Sequence, residues 1–271
     1  MFIIWGASYY FTSNVVRGFG ECPSCRRFAY HKSYDGRKYG HLYFIPLFPV
    51  TSPQRVLHEC SACQAGSVVE QADLPNLIGA IEGAIDPLLA LLDGGLPENR
   101  PESSDAAAAP IDTELLTIVD QLLVLGRRET AEQVIDRLKR SGQGYYAALL
   151  QARVLHFDGP LPTVEAAYLE ALDLAPDPGL TMNLLGRYYV SAGRHAEAIK
   201  TYQAIEASDP HEMMATFRLI DLHVHLKEWS NAVDAYERAI DRHPDWLNSK
   251  DFARSYQKAC KKAGRTARVA P

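Results

Sequence analysis

The chain has 271 residues, enough for two domains, and its 47% hydrophobic and 23% charged content is that of a protein able to bury a core. A net charge of -5 at pH 7 excludes the strongly basic character expected of a chain whose whole surface binds nucleic acid. The basic run Lys258, Lys261, Lys262, Arg265, Arg268 is a local exception, and it reads as a solvated helix end favoured by the helix dipole.

The start, Met1-Phe-Ile-Ile-Trp-Gly6, lacks the basic flank and long apolar run of a signal peptide. No stretch is expected to supply the roughly 20 apolar residues of a spanning helix. Residues 77–92 come nearest, interrupted by Glu82, Asp86 and Pro87. A cytoplasmic, reducing location is expected, in which thiolates bind metal rather than pair as disulfides.

Residues 1–68 are organised by two Cys-x-x-Cys turns, Cys22-Pro-Ser-Cys25 and Cys60-Ser-Ala-Cys63. Between them, Arg27–His31 and Lys38–Phe48 read as strands, with Asp35-Gly36 as the expected hairpin turn and Phe2–Trp5 as a short strand ended by Gly6. Two such turns joined by a small sheet close a four-sulfur shell, the arrangement Zn²⁺ prefers in structural sites. With Cys22, Cys25, Cys60 and Cys63 filling every position, no place is left for water or substrate. His58, two residues before Cys60, is expected in a supporting or solvent role. The segment Tyr43–Val50 reads as an inward strand with a proline-stiffened return; the sharper reading is an exposed aromatic patch that docks on a partner or a membrane surface, though no cluster of Lys or Arg flanks it strongly enough to favour the membrane.

These features, together with Phe2-Ile-Ile-Trp-Gly6 and Leu42-Tyr-Phe-Ile-Pro-Leu-Phe-Pro49, resemble a family of small zinc-ribbon domains found at protein N-termini. The resemblance covers about the first quarter of the chain. It implies one structural zinc on the four cysteines and carries no known enzymatic activity.

Residues 69–111 combine an amphipathic helix with a linker. Leu74, Leu77, Ile78, Ile81, Ile85, Leu88, Leu89 and Leu92 share one helical face, Pro87 should break or kink it, and Asp93-Gly-Gly95 should end it. Pro97–Pro110 has no apolar period and reads as flexible, so the domain boundary is set there.

From residue 112 to 271 an internal repeat is visible. Pro176, Pro210 and Pro244 are 34 apart, as are Tyr168, Tyr202 and Tyr236, then Ala171, Ile205 and Ala239, then Val164, Ala198 and Ala232. This is the period of the tetratricopeptide repeat, a helix–turn–helix unit, and the small and aromatic residues resemble that family's signature. An all-α solenoid is therefore expected behind the β zinc ribbon. Gly179–Pro210 is the best copy, with Gly193 in its turn; Asp112–Leu138 is a degenerate one, with Gly126 in its turn; residues 248–262 form a capping helix. In the third copy Ile220 and His223 stand where a small residue and a tyrosine are expected. Helical spacing places Tyr146, Leu149, Arg153, Asn183, Arg187, Met214, Phe217 and Arg218 on the concave face, suited to an acidic peptide. His223 and His225, two apart on a helix, diverge too far to share one ion. Cys260 is expected to pack rather than react.

Three functions are compatible with the residues. The first is a non-enzymatic adaptor holding a protein partner in the helical array. The second is a nucleic-acid-binding ribbon, supported by Arg17, Arg26, Arg27, Lys32, Arg37 and Lys38. The third is a thiol oxidoreductase, against which stands the lack of a βαβ pattern around the cysteines. No Ser/His/Asp set, phosphate loop or open metal motif appears elsewhere.

Overall fold

The computed structural model describes residues 5–25, 27–94, 110–158, 161–209 and 213–268. It forms two compact units, Met1–Ala175 and Pro176–Pro271. The linker Pro97–Pro110, where composition sets the boundary, lies within the span of the first unit. Most of the expected linker lies outside the described residues.

The first unit opens with a five-stranded antiparallel sheet. Strands β1 (Trp5–Glu21), β2 (Phe28–Leu42), β4 (Gln54–Cys60) and β5 (Ser67–Glu70) follow that spatial order, and β3 (Ile45–Pro49) pairs with β2 beside β4. Two strand expectations need correction. β1 runs through Gly6 instead of stopping there, and β2 runs through Asp35-Gly36. Asp35 is paired on both sides, with Ser13 on β1 and Arg55 on β4, so the neighbouring strands hold it extended. The turn falls at Tyr43-Phe44, both left-handed at φ 48° and 66°. That pair of angles suits a two-residue hairpin turn even without Asn or Gly.

Helices α1 (Leu74–Gly83) and α2 (Ile85–Asp93) replace the single expected helix. The break falls at Ala84, just upstream of Pro87, whose ring crowds the carbonyl four residues before it. Leu74–Asp93 is apolar and long enough, by composition alone, to cross a membrane. Here Leu74, Ile85, Leu88, Leu89 and Leu92 are buried, and both helices pack on α3 (Ile111–Val124). Glu82 pairs with Arg127 and Asp86 with Arg137, so the acidic groups that interrupt the apolar run face cations of the helical array.

Two helix pairs complete this unit, α3 with α4 (Arg128–Arg140) and α5 (Gly144–Phe157) with α6 (Pro162–Leu174). The second unit contains α7 (Pro178–Ser191), α8 (His195–Ser208), α9 (Met213–His225), α10 (Trp229–Arg242), a short 3-10 turn and α11 (Lys250–Ala263). Every member of the 34-residue tyrosine, Ala/Ile and Val/Ala series is buried. Gly126 and Gly193 occupy their expected turns at positive φ, and Lys227 holds the same place in the third copy at φ 60°. Gly186 lies directly beneath the Tyr202 ring: a Cβ there would stand 2.6 Å from Cε1. The C-terminal arginines are committed within the unit, Arg265 to Asp234 and Glu237, and Arg268 to Asp241.

Arg55 joins sheet to helices. It is 1% exposed, donates from Nε to the Val124 carbonyl at 2.7 Å and pairs with Asp35 at 2.8 Å. Val124 ends α3, where carbonyls lack helical partners and the dipole favours a cation.

Replacing Arg55 by Met should lower unfolding stability by about 2–4 kcal/mol in urea titration, because a carboxylate and a helix-end carbonyl lose their buried partner. Gly186→Ala should cost about 1–3 kcal/mol through overpacking against the buried tyrosine. Lys227→Gly, measured the same way, should gain about 1 kcal/mol by relieving the left-handed backbone.

Candidate metal centre and partner-binding residues

Both cysteine turns are built alike. The Cys22 N–H donates to the Arg27 carbonyl at 2.9 Å, and the Cys60 N–H to the Ala65 carbonyl at 2.8 Å, each closing a loop five residues on. The Ala62 N–H points at Cys60 Sγ at 3.3 Å. Gln64 is left-handed at φ 61°, and Gly66 passes so close to β4 that a Cβ would meet the Glu59 Cα at 3.0 Å. The second turn thus closes with Gln64 in the strained position and glycine two residues later, where space requires it.

The sheet brings the turns together: β1 and β2 carry the first, β4 and β5 the second, and His31 on β2 pairs with Cys60. All four sulfurs lie within 4.8 Å of one another. Cys22 Sγ is 3.7 Å from Cys63 Sγ, and Cys25 Sγ is 4.0 Å from Cys60 Sγ. A tetrahedral ion with metal–sulfur bonds of about 2.3 Å would set sulfur–sulfur edges of about 3.8 Å. The donor set therefore fits a thiophilic metal, and it is closed.

Electrostatics point the same way. The Cys25 backbone N–H is the strongest influence on Cys22; with donors from Ser24, His31 and Cys60 it outweighs burial and draws that thiol down to about 6. For Cys63 the Ala65 backbone N–H works in favour of ionisation, yet burial and the neighbouring cysteines push the thiol up to about 12. Four thiolates in one shell repel one another, and a divalent cation is the natural counter-charge. His58 lies on β4, and its imidazole is held below its usual value, first by the desolvation of its ring and then by His31.

The residues expected to face a partner are placed unevenly. Tyr146 on α5 is half-buried. Arg153, on the same helix, departs from the expectation of a groove-facing cation: it is 8% exposed and grips Asp120 on α3 through two bonds of 2.7 and 2.8 Å. Its guanidinium also lies over the Phe157 ring at 4.7 Å. Leu149 beside it is wholly buried. Asp120 and Arg55 are the residues that pattern reading missed. Each adjoins an apolar run, Val56-Leu57 and Ile118-Val119, which is the signal available in sequence, but only the fold shows its partner.

In the second unit, Met214 on α9 is 47% exposed, and Phe217 stacks on Trp246 with centroids 4.6 Å apart. Asn183 bonds back to the Gly179 carbonyl at 3.2 Å. Arg218 and Arg187 are half-buried and both favour ionisation of Tyr202, though burial leads and pushes that phenol up to about 12. His223 is buried against Glu228 at 2.7 Å while His225 is exposed, so the two do diverge.

Residues 183–245 match the family model of the tetratricopeptide repeat. Comparison with curated protein sequences finds no match. Among solved structures, MamA AMB-1 in its P212121 crystal form is 17% identical, over 57% of this chain and 88% of its own, with a TM-score of 0.42. MamA 41-end from Desulfovibrio magneticus RS-1 is 14% identical, over 58% of this chain and 94% of its own, with a TM-score of 0.40.

Metal analysis of purified protein should return about one thiophilic ion per chain. Cys60→Ser should lose that ion and lower the thermal midpoint by about 10 °C or more, because folding and binding are coupled. Cys260→Ser, altering a buried thiol on α11, should keep the ion.

Proposed function

We propose that this chain is a non-enzymatic, zinc-binding adaptor of the cytoplasm that holds a protein partner through its tetratricopeptide helix pairs. The observation that carries the reading is the match of residues 183–245 to a repeat built for protein contact, behind a metal site with no open position. Zinc suits four thiolates in a tetrahedron, having neither redox chemistry nor a geometric preference of its own. It would clasp the ends of β1, β2, β4 and β5, and all chemistry it supplies there is structural.

The sulfur arrangement weighs against a thiol oxidoreductase. Cys22 approaches Cys63, and Cys25 approaches Cys60, so short contacts run between the two turns. A redox Cys-x-x-Cys exchanges within its own turn.

The partner surface assigned to the second unit comprises Asn183, Arg187, Met214, Phe217 and Arg218. Two arginines beside an exposed methionine and an aromatic residue suit an extended or helical peptide bearing acidic groups. Proteins captured on the full chain and identified by cross-linking mass spectrometry should depend on this face. Met214→Lys should weaken capture about ten-fold and Arg187→Glu with Arg218→Glu more, with melting temperature and metal content kept as folding controls. Equal capture by the wild type and Met214→Lys would place the partner elsewhere.

A further inference from the structure

The end of the sheet farthest from the cysteines has an unusual composition. Residues 5–16 and 39–54 contain no Asp, Glu, Lys or Arg, in a chain that is 23% charged. Half of the exposed large apolar side chains among the described residues, eight of 16, lie in these two segments. The expectation of an inward-facing strand at Tyr43–Val50 is thus corrected: Phe44 is 66% and Ile45 64% exposed. Among the described residues only a two-to-three-stranded hairpin stands here, and no second layer of them covers these side chains.

The apolar groups surround the hairpin. Ile45 and Phe48 pair with Leu42 and Gly40 and share one face. On the other face Phe44 stacks on His41 at 5.7 Å, and Phe11 meets the Tyr39 ring edge-on at 5.5 Å. A groove on another protein covers one face of such a hairpin. A fluid apolar medium covers both.

Backbone polarity at the tip is also reduced. The Phe44 carbonyl accepts the Tyr10 hydroxyl at 2.9 Å, and Pro46 and Pro49 leave β3 without two N–H groups. Those prolines disfavour strand addition by a second copy and lower the cost of leaving water. Behind the tip stand tyrosines and then Arg37 and Lys38, with the Lys38 ammonium 5.2 Å above the Tyr9 ring. Strand rise puts these cations about 15 Å from the turn. Residues 1–58 as a whole hold seven Lys and Arg against two Asp and Glu, a net +5, whereas the entire chain is -5.

We propose that the β2–β3 hairpin inserts into the interface of an anionic lipid bilayer, with Phe44, Ile45, Leu47 and Phe48 entering the acyl boundary and Arg37 and Lys38 held at phosphate level. Apolar burial supplies most of the affinity and the cations select anionic headgroups.

Flotation of the full, metal-loaded chain tests this, using vesicles of phosphatidylcholine alone or with about 30 mol% phosphatidylglycerol, a content giving appreciable surface charge. The chain should float with both and more strongly with the anionic vesicles. Ile45→Ser with Leu47→Ser should reduce partition at least about ten-fold for both compositions. Arg37→Gln with Lys38→Gln should reduce it about ten-fold for the anionic vesicles only. Unchanged metal content and melting temperature will show that these changes leave the fold intact. The proposal is overturned if the wild type stays unbound, or if the Ile45/Leu47 variant partitions like it. It is equally overturned if that variant instead loses self-association in lipid-free sedimentation, or capture of a single-stranded oligonucleotide.

Discussion

Four sulfurs within 4.8 Å of one another govern the first part of this chain. The sheet around them is thin: apart from the cysteines, its buried apolar side chains among the described residues are few, chiefly Ala29, Tyr34 and Val56. A core of that size falls below what usually holds a domain by itself. Ionising the four thiols together without a cation is also unfavourable, as the elevated Cys63 thiol shows. A metal ion held there would reverse that balance, since binding contributes on the order of 10–16 kcal/mol to the folding of peptides of this type. With one end clamped in that way, the long β1–β2 ribbon would be able to project well past its own core.

A metal on the four cysteines would fix the sheet internally, while Arg55 fixes it to the helices. A guanidinium is suited to this position. It satisfies the last carbonyl of α3 and a carboxylate on the neighbouring strand at once, through donors held in one plane. Gly126 is needed beside it twice over: the turn has φ 76°, and a Cβ would stand 3.3 Å from the Arg55 guanidinium. The glycine that marks a repeat turn therefore also admits the anchor from the sheet. Arg153 and Asp120 form a second buried ion pair in the same unit, so two of its arginines are consumed in structure.

Much of this was legible in the residues. The four cysteines are the same pair of turns in sequence and in space, and the 34-residue series of Tyr168, Tyr202 and Tyr236 lies buried. Local rules suffice there, because spacing alone decides which side chains share a turn or a helix face. What was not legible depended on partners distant in the chain. Asp35-Gly36 carries a turn signal, but pairing on both sides overrides it. Tyr43-Phe44 carries none, yet it turns, because the strands on either side dictate the register. Arg153 has the spacing of a groove residue and is withdrawn from it by Asp120, 33 positions away. Helical periodicity reports a direction and is silent about which neighbour neutralises a charge.

Strain and exposure coincide at the free end of the sheet. Phe11, Asn14, Tyr43 and Phe44 all hold left-handed backbone, at φ 55°, 50°, 48° and 66°. Each such residue costs on the order of 1 kcal/mol relative to glycine, and Asn the least. Stability alone would favour Asn-Gly at the hairpin turn, which relieves the backbone and removes apolar surface from water in one step. The aromatic pair stands there instead, 42% and 66% exposed. The turn itself would be less strained with Asn-Gly, and the stack of Phe44 on His41 leaves most of that ring exposed. Contact with an apolar surface outside the chain accounts for the choice, since it converts the same exposed rings from a cost in water into a contribution to binding.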